Sequence, residues 1–309
     1  MSRALVFGGT GMLGHRVVRE GRRRGHAVVG LSSAQADLGD PERLAWWAGR
    51  FRPEVVINCA AMTVVDDCEG EGEERATAIN GAGAGHAAAA ARGVGARFLH
   101  VSTDYVFDGT AEEPYPTDHP TAPISAYGRS KLAGEEAVLE HAHEGGGAAV
   151  VRTSWLFGPD GPGGGPNFVK TMLRLIGEGR TPLRVVDDQV GAPTYTPYQA
   201  AALWDLAERG GEPGADVTGV FHYQNREIVS WCDFAREIVR SWAPEVKVVP
   251  VTTDEFPRPA PRPAYSVLDV SRFEALTRRP VESWRNGLGI YLDHLRERGA
   301  FAAPTAARS

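Results

Sequence analysis

Residues 4–14 read ALVFGGTGMLG, and the amphipathic stretch 12–23 follows directly. Four apolar residues, then a turn rich in glycine, then a helical pattern give a strand, a tight loop and a helix in that order. Gly8 and Gly11 permit the turn and a close backbone approach, and Gly14 lets the helix lie near the strand. The amides at the helix start, around Thr10, Gly11, Met12 and Leu13, then point at whatever occupies the loop. A pyrophosphate suits that position, because the helix N-terminus offers unpaired N–H groups and the positive end of its dipole.

Working outward, the same alternation repeats. Residues 27–31, 55–59, 97–101 and 148–152 read as further buried strands, and residues 41–50, 73–92 and 126–144 as the helices between them. Right-handed crossovers wind such units into one parallel sheet, so the expected fold is α/β, a doubly wound parallel sheet of the Rossmann type with a smaller C-terminal domain for substrate. The nucleotide-binding domain is expected over 1–157, with a strand returning near 217–229, read most clearly at 219–223. Residues 158–216 and 230–300 are expected to form most of the substrate domain. They include a loop rich in Gly and Pro at 158–166, a helix at 167–177 and a Pro-rich stretch at 257–263. A frayed tail is expected at 301–309.

Composition narrows the partners. The chain has 309 residues with 33 Lys and Arg against 39 Asp and Glu, a formal net charge of −6. No global positive field favours nucleic acid or an anionic membrane, so a phosphate-bearing ligand must be held locally. Three cysteines, Cys59, Cys68 and Cys232, form neither a disulfide framework nor a metal-ligand spacing. No signal-like or membrane-spanning run is visible, and a reducing cytoplasm is the expected location.

The second strand ends at Ser32, with Ser33 next, where an acid would grip the ribose hydroxyls of NAD and repel a 2′-phosphate. NADPH is therefore the expected cofactor, with NADH the alternative. Asp37 and Leu38 are candidates to lie near the adenine, although Asp37 reads equally as a solvated loop residue.

Tyr127 and Lys131 stand four apart in the helical stretch 126–144, which places them on one face, one turn apart. An ammonium beside a phenol lowers the phenol's pKa and prepares it to give a proton to a carbonyl oxygen. Lys131 also suits the nicotinamide ribose. Ser102, Thr103 and Asp104 follow strand 97–101 at the carboxyl edge, where ligands bind in open α/β sheets. Thr103 completes a set of hydroxyl, phenol and ammonium; its plainer reading is a turn hydroxyl bonded to backbone.

These motifs combine with NCAAMTVVDDCE at 58–69, STDYVFDG at 102–109, YGRSKLAGE at 127–135, RTSWLFG at 152–158, DDQVGAPTY at 187–195 and PRPAYSVLDVSRF at 261–273. In this order, over nearly the whole chain, they resemble the dTDP-4-dehydrorhamnose reductase family of extended short-chain dehydrogenases/reductases. The resemblance implies that Thr103, Tyr127 and Lys131 are catalytic, that Ala60, Ala61, Met62 and Thr63 line the cofactor, and that Thr103, Asp104 and Trp155 meet the nucleotide-linked sugar. The implied reaction is reduction of the 4-keto group of a dTDP-linked 6-deoxysugar by NAD(P)H. Gln189 and Arg262 are further candidates, with an interior hydrogen bond and a surface arginine as their simpler readings.

The chain also departs from the family. Magnesium-binding members carry acids where Arg16 and Pro197 stand here, so no metal is expected and a homodimer is only one possible assembly. Met62 replaces an aromatic residue or His, and Asp67-Cys68 replaces Lys-Ala, which leaves the sugar open. Two other functions share the pattern. One is a nucleotide-sugar epimerase; the other is a non-catalytic NADP-binding regulatory subunit resembling the beta subunit of methionine adenosyltransferase.

Overall fold

A computed structural model describes residues 1–143, 147–212 and 214–301. At its centre are six parallel strands. In chain order they are β1 (Arg3–Phe7), β2 (Ala27–Leu31), β3 (Val55–Asn58), β4 (Arg97–Thr103), β5 (Ala148–Thr153) and β6 (Gly219–His222). Across the sheet they run β6, β5, β4, β3, β1, β2. The chain moves outward from β1 to β2, then crosses back to place β3 on the other side of β1. That reversal opens a crevice at the carboxyl ends of β1 and β3.

The strands are apolar along their length because helices cover both faces. In β1, Ala4 and Val6 face a core with Val17, Val18, Leu203 and Trp204, while Leu5 and Phe7 face another with Leu44, Ala84, Ala88 and Val138. Period-two alternation splits the strand between the two layers. A third core, around Phe157, Leu173, Phe234, Trp284 and Tyr291, gathers residues from the helices Phe168–Gly177, Trp231–Trp242 and Trp284–Glu297.

Most expected elements appear within a residue or two of their expected ends. The helix expected at 167–177 begins at Phe168, with Asn167 as its cap: the Asn167 side chain accepts from the Lys170 N–H at 3.0 Å. Two expectations need correcting. The stretch 73–92 is not one α-helix; Glu73–Ala76 and Gly83–Arg92 are joined by a π-helical segment, Thr77–Ala82. Strand 97–101 continues to Thr103, which is paired with Thr153 of β5, so Thr103 is both the last residue of the strand and the cap of the turn after it. Of the expected tail, residues 302–309 lie outside the described residues, as does Glu144 at the expected end of the fourth helix. Among the described residues, no helix is long and apolar enough to cross a membrane.

Candidate active site

The glycine loop closes on itself through a hydrogen bond from the Gly11 N–H to the Gly8 carbonyl at 3.0 Å. Gly8 has φ +73°, and a Cβ on Gly14 would stand 2.2 Å from the Gly8 oxygen. Neither position accepts a side chain. The helix Met12–Arg23 begins at Gly11 with no side-chain cap, which leaves its first amides available. Gly8 also lies against the backbone of Ala60, so the loops after β1 and β3 form the two walls of the crevice. This bare, amide-rich cradle fits a dinucleotide pyrophosphate.

The loop 158–166, rich in Gly and Pro, lies on the glycine loop. The Gly163 N–H donates to the Thr10 carbonyl at 2.9 Å, and Gly161 packs so closely that a Cβ there would be 2.4 Å from the same oxygen. Arg16 donates to the Asp160 carbonyl at 2.8 Å, and the Lys170 ammonium reaches both the Asp160 carboxylate and the Gly165 carbonyl at 2.8 Å. Arg16, which stands where magnesium-binding relatives have an acid, thus anchors this loop.

At the other end of the crevice, Ser32 bonds to Gln35 through both its N–H and its hydroxyl. Asp37 is exposed and accepts from the Gly39 N–H at 2.9 Å, a turn contact, while Leu38 is buried in the core. The stretch Ala60, Ala61, Met62 and Thr63 is pinned from below by a residue that the sequence reading missed. Asn80, fully buried in the π segment, accepts from the Met62 N–H at 2.8 Å and donates to the Met62 carbonyl at 3.0 Å and to the Ser130 hydroxyl at 2.9 Å. The wider π turn brings that side chain to the loop. An Asn among closely spaced glycines, in ATAINGAGAG at 76–85, is the sequence signal that could have revealed it.

Thr103 and Tyr127 come together as expected. The Thr103 hydroxyl donates to Asp104 Oδ1 at 3.0 Å, accepts from the Tyr105 N–H at 3.2 Å, and touches the Tyr127 phenol. Both readings of Thr103 therefore hold, as turn cap and as neighbour of the phenol. With its proton on Asp104, Thr103 has a lone pair left for the Tyr127 O–H. Asp104 is buried, and burial raises its pKa to about 7 against the pull of bonds from Thr103 and Ser266. Its Oδ2 has no partner of hydrogen-bond geometry.

Burial raises the Tyr127 pKa above the ordinary phenol value, against the lowering expected from Lys131. The Lys131 Nζ donates to the Val101 carbonyl at 2.8 Å and lies 3.1 Å from His100 Nε2. Burial lowers the Lys131 pKa to about 8. Behind it, Ser102 donates to Glu135, which is paired with Arg152 at 2.7 Å, all three buried. Glu135 and Arg152 were not read from the sequence as parts of the site.

Trp155 has φ +45° and stacks on Trp231, ring centroids 3.6 Å apart and 8° from parallel. It is neither a fully buried core residue nor free of packing. Gln189 donates to the Thr253 hydroxyl at 3.0 Å. Arg262 pairs with Asp66 at 3.1 Å, tying the Pro-rich stretch to the loop after β3.

Six parallel strands, a glycine loop at the point of reversal and the third core beside the sheet define the class: a Rossmann-type extended short-chain dehydrogenase/reductase. Within that class, the chain belongs to the RmlD substrate binding domain family, whose model matches residues 2–297. It is 44% identical to a dTDP-4-dehydrorhamnose reductase of Streptomyces griseus, over 93% of this chain and 91% of that one. It is 40% identical to a probable dTDP-4,6-dihydroxy-2-methyloxan-3-one 4-ketoreductase of Streptomyces antibioticus, over 93% of each. Among solved structures, it matches the dTDP-4-dehydrorhamnose reductase of Bacillus anthracis, in complex with NADP, with a TM-score of 0.86 and 34% identity, covering 95% of this chain and 99% of that one.

Proposed function

We propose that this protein is a cytoplasmic NADPH-dependent reductase of the 4-keto group of a dTDP-linked 6-deoxysugar, with Tyr127 as proton donor. The observation that carries the reading is the linked set Tyr127, Thr103 and Asp104 at the carboxyl edge of β4, beside a crevice walled by the glycine loop. Bound in that crevice, NADPH would supply the hydride to the sugar's C4. Gly8, Gly11 and Gly14 with the amides of Thr10 to Leu13 hold the pyrophosphate, Ser32, Asp37 and Leu38 take the adenosine end, and Ala60 to Thr63 line the nicotinamide side. NADH is the poorer alternative, since Ser32 presents no acid to the ribose.

Tyr127 gives its phenolic proton to the ketone oxygen, and its raised pKa keeps that proton in place until negative charge develops there. Thr103 orients the same oxygen, Asp104 and Trp155 meet the sugar, and Lys131 holds the nicotinamide ribose. The relatives' names support a dTDP-keto sugar as substrate, and they cover more than one sugar.

The test is NADPH oxidation with dTDP-4-dehydrorhamnose and dTDP-4-keto-6-deoxyglucose, with the product sugar identified by NMR. Turnover of either, reduced by about 10²-fold or more in Tyr127→Phe while NADPH binding persists, is the expected result. Tight NADPH binding without turnover of any keto sugar would instead support a regulatory subunit.

A further inference from the structure

Asn58, the last residue of β3, is the register partner of His100 in the middle of β4, and Lys131 reaches His100 from the helix Ala126–His143. The Asn58 amide has a fixed orientation. Its Oδ1 accepts from the Ala60 backbone N–H at 3.0 Å, and a backbone N–H can only donate. Its Nδ2 must then face His100 Nδ1, 3.1 Å away, and donate to it. A neutral imidazole that accepts at Nδ1 carries its proton on Nε2. That proton points at the Lys131 nitrogen 3.1 Å away.

We propose that Asn58 and His100 form a one-way hydrogen-bond chain that presents an N–H to Lys131 and so disfavours its ammonium form in the cofactor-free protein. An amine can accept from His100, donate to the Val101 carbonyl and keep one N–H for a ligand. An ammonium has no lone pair, so it would set donor against donor across a fully buried contact. Moving the His100 proton to Nδ1 only transfers the conflict to the Asn58 amide. Asn58 and His100 are thus positioning residues that set the charge of Lys131; the inference rests on Lys131 belonging to the reductase site.

The surroundings agree. His100 is fully buried, and burial holds its pKa well below the ordinary value, so it is not an imidazolium. The other titratable groups around Lys131 are Tyr127 and Glu135 on its own helix and Cys59 after β3. Glu135 is engaged by Arg152, and burial keeps Cys59 a neutral thiol. The lowered pKa of Lys131 has the same sense as the chain.

The test uses the full chain without cofactor. In protein labelled with ¹⁵N-histidine, the His100 signals, assigned by their loss in His100→Gln, should show the Nε2–H tautomer at neutral pH; an Nδ1–H tautomer or an imidazolium overturns the proposal. The variant Asn58→Asp puts an acceptor where the chain has its donor. It should move the His100 proton to Nδ1 and raise the Lys131 titration, followed by the ¹³C shift of its ε-carbon, by about one pH unit or more. An unmoved midpoint in folded Asn58→Asp protein also overturns it. Neither measurement requires turnover, so failure of the reductase assay is distinguishable from failure of this chain.

Discussion

Asn80 holds the backbone of Met62 at both ends, accepting from its N–H at 2.8 Å and donating to its carbonyl at 3.0 Å, across 18 residues of chain. A third bond to Ser130 joins the same side chain to the helix that carries Tyr127 and Lys131. One buried amide thus sets the distance between the wall of the crevice and the helix of the phenol. Replacing Asn80 with Ala removes three hydrogen bonds and strands the Met62 backbone groups. The expected cost is about 1–3 kcal/mol in urea unfolding, with NADPH affinity reduced as well. Unchanged affinity by fluorescence titration would mean that the loop keeps its shape without the clamp.

Asp104 titrates in the folded protein near pH 7, against an ordinary value of 3.8. Its folded pKa is raised, so the native state holds the proton more tightly. The stabilising contribution is full below pH 4 and is lost as the pH rises through about 7. Asp104→Asn has no such loss. Urea midpoints of the two proteins at pH 5 and pH 8 should diverge, with the variant gaining on the parent at pH 8; a constant difference would show that Asp104 is already ionised at pH 5.

Glu135 and Arg152 are a buried pair with the Ser102 hydroxyl attached. Glu135→Gln leaves the guanidinium without its counter-charge and should cost about 3–5 kcal/mol. Adding Arg152→Met should recover much of that loss. A single variant as stable as the parent in urea would show that the guanidinium finds another partner.

Gly161 has no room for a methyl group against the Thr10 carbonyl. Gly161→Ala should lift the loop 158–166 from the glycine loop. Faster limited proteolysis at that loop and weaker NADPH binding are expected, with little change in Tm, because the large cores are untouched. Equal cleavage rates for parent and variant would mean that the loop stays seated.

Much of this was legible in the chain. The strand at Ala4 to Phe7 and its glycine loop identified the fold because their signals are local: apolar runs, residues tolerating positive φ and a following helical period. Tyr127 and Lys131 were legible as one face of a helix for the same reason. The spacing left open where the Lys131 nitrogen would bond, which is to the Val101 carbonyl and beside His100. A helical interval fixes which side of the helix two residues share, but not what that side meets.

The sequence by itself determined the order of strands and helices and the crevice at the reversal after β1, because hydrophobic period and backbone freedom act over a few neighbouring residues. Tertiary structure alone decided the polarity of the site: Asn58 beside His100, 42 residues apart, His100 beside Lys131, 31 apart, and Glu135 against Arg152, 17 apart. Hydrogen-bond direction and burial depend on partners that only the folded sheet brings together, so the charge carried by Lys131 is a property of the packed core rather than of any motif.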